Sequence, residues 1–532
     1  MKNVLNSSIF KCALSGLLLI LGWPPFSLTP LLFIAFIPLF FVIDKQASIK
    51  KIWAYAYLTF FIWTVGTMYW IGNTRIDLQG FIIIAIAWIL IPFFQSLPFL
   101  VFAWAKNKIA QEYIWYLLPL IWVSYEYLHS SWQLAFTWLH LGFGLSPMPW
   151  FIQFYEYTGY LGGSLVIVLL NVMFFNVIKA YGSVSFKRNL SMTLGVITIL
   201  ILTNLLLYPQ PQGGERNASI KTAIVQSNAD PYEVLDKNSL KRQVGTLQRL
   251  LLPLKGKDVD LVVLSEGYLR TSPLAPLVLN NVDEQPAIRE IKKISKEINA
   301  PILVGFIGFK LFDSKAIAPS SALPTGDGRY FSAYNGAMLI AHDKATQVQM
   351  KNNLVPFMER IPYLEQLSFF EKFKLQLNQA KNSYEKDDEV NVFEYKQMRI
   401  GTLICLDALF PGYATHFVNN SANIMAVIAN DSWAGNTSGY LQNAQYASTV
   451  AASLRRDVVR CATTGKSMFV SKSGLKRKIT SWDEEVVMID EVRLLNNNTL
   501  YAFAKDWLGL INTILLAIFF PVAIMWQKMR SR

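Results

Sequence analysis

Residues 1 to about 208 are a string of long apolar runs, and one further run, about 507–527, stands just before the C-terminus. About 20 consecutive apolar residues span a bilayer as a helix. In hydrocarbon the backbone must satisfy its own hydrogen bonds, so runs of this kind have few options other than helix. The runs fall near 9–23, 29–43, 52–72, 78–105, 113–129, 161–178, 189–208 and 507–527. They predict a membrane domain over 1–208 with about seven transmembrane helices, a soluble domain over 209–505, and a C-terminal transmembrane helix with a basic tail over 506–532. The first two runs are short, so the bundle is better founded than the count of eight. The first run has an alternative reading as a signal peptide, but Gly22-Trp23-Pro24-Pro25 is no small-residue cleavage site. The apolar excess, 53% of the chain against 16% charged, belongs to these runs.

Orientation follows from the distribution of Lys and Arg. With eight spans and a cytoplasmic N-terminus, the cytoplasmic segments hold thirteen basic residues, among them Lys2, Lys11, Lys45, Lys50, Lys51, Lys106, Lys108, Lys179, Lys187 and Arg532, against the acids Asp44 and Glu112. The short outer connections hold only Arg75. The soluble domain is therefore expected outside the cytoplasm. The formal net charge of +13 is mainly this topology. It is no nucleic-acid signature, and no nucleic-acid-binding motif accompanies it. The three cysteines, Cys12, Cys405 and Cys461, are too few and too irregular for a disulfide framework.

From about 219 short apolar strands alternate with amphipathic stretches. Strands are expected at Ser219–Gln226, Asp260–Leu264, Pro301–Phe306, Gly336–Ala341, Met398–Cys405 and Ile424–Ala429, with helices near 237–254, 285–298 and 439–459. This is the pattern of an α/β domain with a buried sheet. Chemistry in such domains gathers at strand ends.

Three strand-end residues stand out. Cys405 ends an apolar strand at an expected helix start, where free N–H groups favour a thiolate and can hold an oxyanion. Alone, it reads rather as a core cysteine. Glu266 follows four apolar residues; a carboxylate in such a setting can serve as general base, or simply cap the next helix. Lys351 can stabilise an oxyanion and a neighbouring thiolate, or be a solvated lysine. The four histidines lie outside any Ser–His triad motif, and Gly465-Lys466-Ser467 lacks the first glycine of a phosphate loop, position 460 being Arg.

Taken together, these residues resemble a known family. Lys351-Asn352-Asn353-Leu354-Val355-Pro356-Phe357 and Ile404-Cys405-Leu406-Asp407 with Phe410-Pro411 are similar to the lysine and nucleophile motifs of the nitrilase, or carbon–nitrogen hydrolase, superfamily. Glu266 stands at its strand-end Glu. Tyr334-Asn335-Gly336-Ala337, Asn430-Asp431-Ser432-Trp433 with Gly435, and Arg456 to Gly465 match further segments. Trp122 to Tyr127 and Thr137-Trp138-Leu139-His140-Leu141-Gly142 resemble the membrane half of the apolipoprotein N-acyltransferase branch, so the likeness runs nearly the full length. The chain departs from the motifs at Ser265, where Pro is usual, at Leu406 and Asp407, where an aromatic and Glu are usual, at Met358, where Gly is usual, and at Ala434, where Phe is usual.

The resemblance implies an α-β-β-α sandwich carrying a Glu266–Lys351–Cys405 catalytic set, with Glu359, Asp407, Asn335 and the Leu406 backbone N–H in support. It implies no cofactor or metal. The donor would be a membrane phospholipid and the acceptor the α-amino group of a diacylglyceryl-lipoprotein, joined through a cysteine thioester. It places the protein in a bacterial inner membrane with its catalytic domain facing the periplasm. Trp138, Trp433 and Glu126 are the substrate-binding candidates; Glu126 stands out as an intramembrane carboxylate, and its alternative role is a bond to a neighbouring helix. A membrane-bound amide hydrolase using the same three residues is the rival reading. It differs only in whether water or an amine takes the acyl group.

Overall fold

The computed structural model describes residues 7–73, 78–109, 114–209, 218–271, 275–319, 321–363, 384–387 and 389–530. Lys2, Arg75, Asp77, Glu112 and Arg532, which enter the charge count, lie outside these residues. The chain divides into two compact units: Met1–Asn73, Phe81–Tyr208 and Ala504–Arg532 form one, Thr74–Gly80 and Pro209–Phe503 the other.

The first unit is helical: α1 (Ser8–Gly22), α2 (Ile37–Asp44), α3 (Ile49–Thr67), α4 (Leu78–Lys108), α5 (Leu117–His129), α6 (Tyr155–Lys179), α7 (Ser185–Leu207) and a closing helix, Trp507–Arg530. Among the described residues, four segments are long and apolar enough to cross a membrane: Gly80–Lys108, Tyr155–Lys179, Ser185–Leu207 and Trp507–Met525. The chain is a membrane protein. The run near 29–43 is interrupted, entering as the 3-10 turn Thr29–Phe33 before α2, each with a proline in its first turn. α6 is the inner helix of the unit, with 67% of its span buried against 11% for α7 and 17% for the closing helix. The latter two keep apolar faces turned outward, as a lipid-facing helix must. Asn171 of α6, fully buried, spends its amide on the break before α2: Oδ1 accepts from Phe36 N at 2.7 Å and Nδ2 donates to Leu32 O at 2.7 Å.

The second unit contains strands β1 (Ser219–Gln226), β2 (Leu261–Leu264), β3 (Ile302–Phe312), β4 (Leu323–Pro324), β5 (Tyr330–Ile340), β6 (Gln347–Met350), β7 (Phe393–Tyr395), β8 (Met398–Ile404), β9 (Ile424–Ala429), β10 (Val458–Ala462), β11 (Met468–Val470), β12 (Lys476–Arg477) and β13 (Val486–Arg493). One sheet has the order β13-β1-β2-β3-β5-β4 with β6 beside β5; the other runs β12-β11-β10-β9-β8-β7. The centre of each is parallel, β1-β2-β3 and β8-β9-β10. Among the described residues its longer helices are α8 (Ser239–Leu251), α9 (Pro286–Ile298), α10 (Pro411–Asn419) and α11 (Ser438–Leu454).

Side-chain alternation builds three apolar layers. Ile224, Leu261, Val263 and Leu303 of the first sheet meet Ile400, Ile404, Ile424, Ala426 and Ile428 of the second. The opposite faces carry Val225, Val262, Leu264 and Val304 against α8 and α9, and Leu403, Met425 and Val427 against α10 and α11. This is the expected α-β-β-α sandwich. Cys461 lies inside the inter-sheet layer, its thiol donating to Val225 O, and Cys12, Cys405 and Cys461 are all free and buried.

Several elements differ from expectation, and the strands β4, β6, β7 and β10 to β13 were not foreseen. The helix expected to reach 459 stops at Leu454, because Arg455 turns left-handed at φ 50°, and Val458–Ala462 is a central strand. The β-branched pair Val458 and Val459 favours that outcome. The strands expected at 301–306 and 336–341 are longer, pairing antiparallel from Ile302 with Ile340 to Phe312 with Tyr330.

Gly305 of β3 sets the end of β2. A Cβ there would stand 2.5 Å from Ser265 O and 2.6 Å from Glu266 Cα, so the two backbones approach only because residue 305 has no side chain. Gly305→Ala should lower the apparent Tm in detergent, with a cost of about 1–3 kcal/mol for overpacking. Gly245→Ala, on α8 with open space around its Cβ, should leave it unchanged or raised. Equal melting curves for Gly305→Ala and the parent protein would contradict this packing.

Candidate active site

Four strand ends converge. Glu266 lies two residues beyond β2, Lys351 directly follows β6, Cys405 directly follows β8, and Asn430 directly follows β9. The first two strands belong to one sheet and the last two to the other.

Lys351 is the hub, 1% exposed. Its Nζ donates to Glu266 Oε1 and to Glu359 Oε1, each at 2.9 Å. Asn335, on β5, places its Nδ2 between the same two oxygens, at 2.8 Å from Glu266 and 3.0 Å from Glu359. The backbone fixes this pairing, since Lys351 N donates to Asn335 O at 2.9 Å. The second oxygens are also held: Asn430 N donates to Glu266 Oε2 at 3.0 Å, and Val355 N to Glu359 Oε2 at 2.8 Å. Burial alone would discharge the ammonium, but Glu266 and Glu359 outweigh it and hold the Lys351 pKa well above its ordinary value.

Cys405 opens the 3-10 turn Cys405–Leu409 with φ 50°, a left-handed conformation uncommon for a non-glycine residue. Such strain is tolerated where surrounding contacts over-determine it, and it recurs at functional sites. Leu406, the expected backbone donor, is the next residue of that turn and is buried. Asp407 holds the turn against the lysine loop: its Oδ1 accepts from Asn353 N at 2.8 Å and Asn353 Nδ2 at 2.9 Å, its Oδ2 from Ile404 N at 3.1 Å. Burial raises the Asp407 carboxyl to about 6, with Lys351 and these donors pulling the other way.

The expected shift of Cys405 toward thiolate is not found. Burial, then Glu266, push the thiol well above 9, and Lys351 offsets only part of this; Glu359 and Asp431 add to the rise. Burial is the larger cause, and the single ammonium facing several carboxylates leaves it uncompensated. The shift disfavours a resting thiolate on Cys405.

One pair here had no role assigned from sequence. Asp431, 1% exposed through its side chain, receives both Arg460 Nη2 contacts at 3.0 and 3.2 Å and Asn443 Nδ2 at 2.8 Å. It follows Asn430, whose N–H holds Glu266. The signal was a charged residue in the apolar strand Val458–Ala462, which requires a buried partner. Of the remaining candidates, Trp433 lies half-buried in the turn Ser432–Ala434. Trp138 and Glu126 belong to the other unit. Trp138 is buried with its ring 4.9 Å from that of Trp70. Glu126, fully buried, accepts from Trp122 Nε1 and Leu141 N at 2.8 Å each and from the Ser164 hydroxyl. It thus ties α5 to α6 and to the 141–145 turn. Among the described residues no group of His, Cys, Asp and Glu is arranged to hold a metal ion.

Residues 15–173 match the family model described as the apolipoprotein N-acyltransferase N-terminal domain, and residues 221–496 match carbon–nitrogen hydrolase. The apolipoprotein N-acyltransferase of Chlorobaculum tepidum is 25% identical over 95% of this chain and 94% of its own length. That of Geobacter metallireducens is 25% identical over 92% and 90%, and that of Thermotoga maritima 24% identical over 96% and 93%. With the hydrolase model covering half of the sequence and the N-terminal model most of the helical part, this chain belongs to the carbon–nitrogen hydrolase family, in the branch that joins that domain to an apolipoprotein N-acyltransferase membrane domain.

Proposed function

We propose that this protein is a membrane N-acyltransferase that moves an acyl chain from a phospholipid, through a thioester on Cys405, to the α-amino group of the lipidated N-terminal cysteine of lipoproteins. The observation that carries this reading is the buried cluster of Lys351, Glu266, Glu359 and Asn335 acting on a strand-end cysteine. The relatives named apolipoprotein N-acyltransferase, aligned over nearly the whole chain, support the acceptor class.

In this reading Glu266 takes the thiol proton as Cys405 attacks the ester carbonyl. The developing oxyanion draws on Lys351 and the Leu406 N–H. The lysophospholipid oxygen leaves with the proton from Glu266, and an acyl-thioester remains. The amine of the second substrate attacks, its proton passes to Glu266, and the thiol is regenerated; the kinetics are ping-pong. Glu359 and Asn335 position Lys351 and Glu266, and Asp407 positions the nucleophile turn. Both substrates carry acyl chains, and extracting them into water would cost about 0.8 kcal/mol per CH₂. A catalytic domain tied to membrane helices avoids most of that. The basic residues of the cytoplasmic segments support a domain facing the periplasm of a bacterial inner membrane.

Two outcomes test this. Purified protein incubated with phospholipid vesicles should gain the mass of one acyl chain by intact mass spectrometry. Cys405→Ala should not, and a diacylglyceryl-peptide amine should discharge the adduct. Discharge by water alone would instead favour the amide-hydrolase reading. Second, without donor, alkylation of Cys405 by iodoacetamide should keep rising past pH 9, because a raised thiol pKa leaves little thiolate at neutral pH. A rate that levels off below pH 8 would show a resting thiolate and remove the need for Glu266 as base.

A further inference from the structure

Asn335 Oδ1 is a buried acceptor that no donor among the described residues reaches. Asn335 is 3% exposed, and its amide cannot flip to remedy this. Both Nδ2 contacts are to carboxylate oxygens, Glu266 Oε1 at 2.8 Å and Glu359 Oε1 at 3.0 Å. Reversing the amide would set its oxygen against two anions. The backbone bond from Lys351 N to Asn335 O and the pairing of Gly336 with Met350 fix the residue from below. A buried polar atom left without a partner costs about 1–3 kcal/mol, and native interiors keep few of them.

Glu266 presents a complementary shortage. Its Oε1 already accepts from Lys351 and Asn335, and its Oε2 from Asn430 N. A primary amine attacking a thioester brings two hydrogens and one lone pair. The lone pair is committed to the carbonyl carbon and one hydrogen to the base, so the second hydrogen requires another acceptor beside Glu266. Among the groups bonded to Glu266, Lys351 Nζ and the Asn430 N–H are donors only. Asn335 alone carries a free acceptor.

We infer that Asn335 Oδ1 binds the acyl-accepting amine, orienting it for attack on the Cys405 thioester. The inference deepens the function proposed above and rests on it. The N–C bond forms as the C–S bond breaks. One amine proton passes to Glu266 and on to the departing Cys405 sulfur, while the other stays on the nitrogen, hydrogen-bonded to Asn335 through the step. Asn335 therefore acts in both halves of the cycle by different atoms. Its N–H group positions Glu266 in the first, and its carbonyl oxygen touches substrate in the second.

The two half-reactions separate these roles. Full-length protein in detergent is loaded from phosphatidylethanolamine–phosphatidylglycerol vesicles, and thioester formation is timed by intact mass. Loaded enzyme is then discharged with a diacylglyceryl-cysteinyl peptide over a range of concentrations, and in parallel by water. Asn335→Ala also deletes the Nδ2 donor that helps position Glu266, so thioester formation should slow, by a few-fold only because Lys351 and Asn430 still hold that carboxylate. Its discharge by the peptide should slow about tenfold or more, the loss expected for one hydrogen bond to a buried group, with discharge by water less affected. Thioester formation in the variant serves as its folding control. Equal slowing of both half-reactions, or loss of thioester formation altogether, overturns the inference in favour of a positioning role alone. A parent protein that forms no thioester overturns the function itself.

Discussion

The catalytic unit depends on one buried cation. Lys351 sits in an interior where an isolated ammonium would shed its proton, and it stays charged because two carboxylates lie within 2.9 Å. The dependence is mutual. Removing one member of such a buried group typically costs about 3–5 kcal/mol, since the others are left charged and unpaired. Each remaining carboxylate oxygen is met by a backbone N–H, from Asn430 or Val355, so the charges are fixed to both sheets. The cluster is thus a structural joint as much as a chemical one. Burial, reinforced by its carboxylates, raises the pKa of the nearby Cys405 thiol, and Lys351 offsets only part of that.

Much of this was legible in the chain. The strand Ile424–Ala429 was expected at its observed bounds, but its faces were not legible, because all six residues are apolar and buried and only the structure separates Ile424, Ala426 and Ile428 from Met425 and Val427. Glu266 and Cys405 were found at the ends of expected strands, and Lys351 through its own motif, since the strand Gln347–Met350 before it was not foreseen. The direction of the Cys405 pKa shift was not legible, because it depends first on burial and then on how many charges share one small volume, and both are properties of the assembled site. The end of α11 was missed for a local reason: Arg455 adopts φ 50°, and its residue type gives no warning of it. The Asp431–Arg460 pair could have been found by asking where a charge inside an apolar strand finds its partner.

In the helical unit, length and composition single out four crossing segments among the described residues, and buried polar groups lie on long and short helices alike. Glu126 lies on the thirteen-residue α5, not on one of the long spans, and its carboxylate is used up by Trp122, Leu141 and Ser164. Asn171 on α6 is used up in the same way. Polar side chains in this unit act as fasteners between segments that apolar packing alone would leave free to slide.

The site draws Glu266 and Lys351 from one sheet and Cys405 and Asn430 from the other. Side chains alternate along a strand, so a one-residue slip of β8 would carry Cys405 into the inter-sheet layer and set Ile404 in its place. A chain that pairs wrongly, or whose sheets have not yet met, holds Cys405 apart from Glu266 and Lys351. The company of charges around that thiol is in this sense a property of neither sheet alone, and exists only once the two have met.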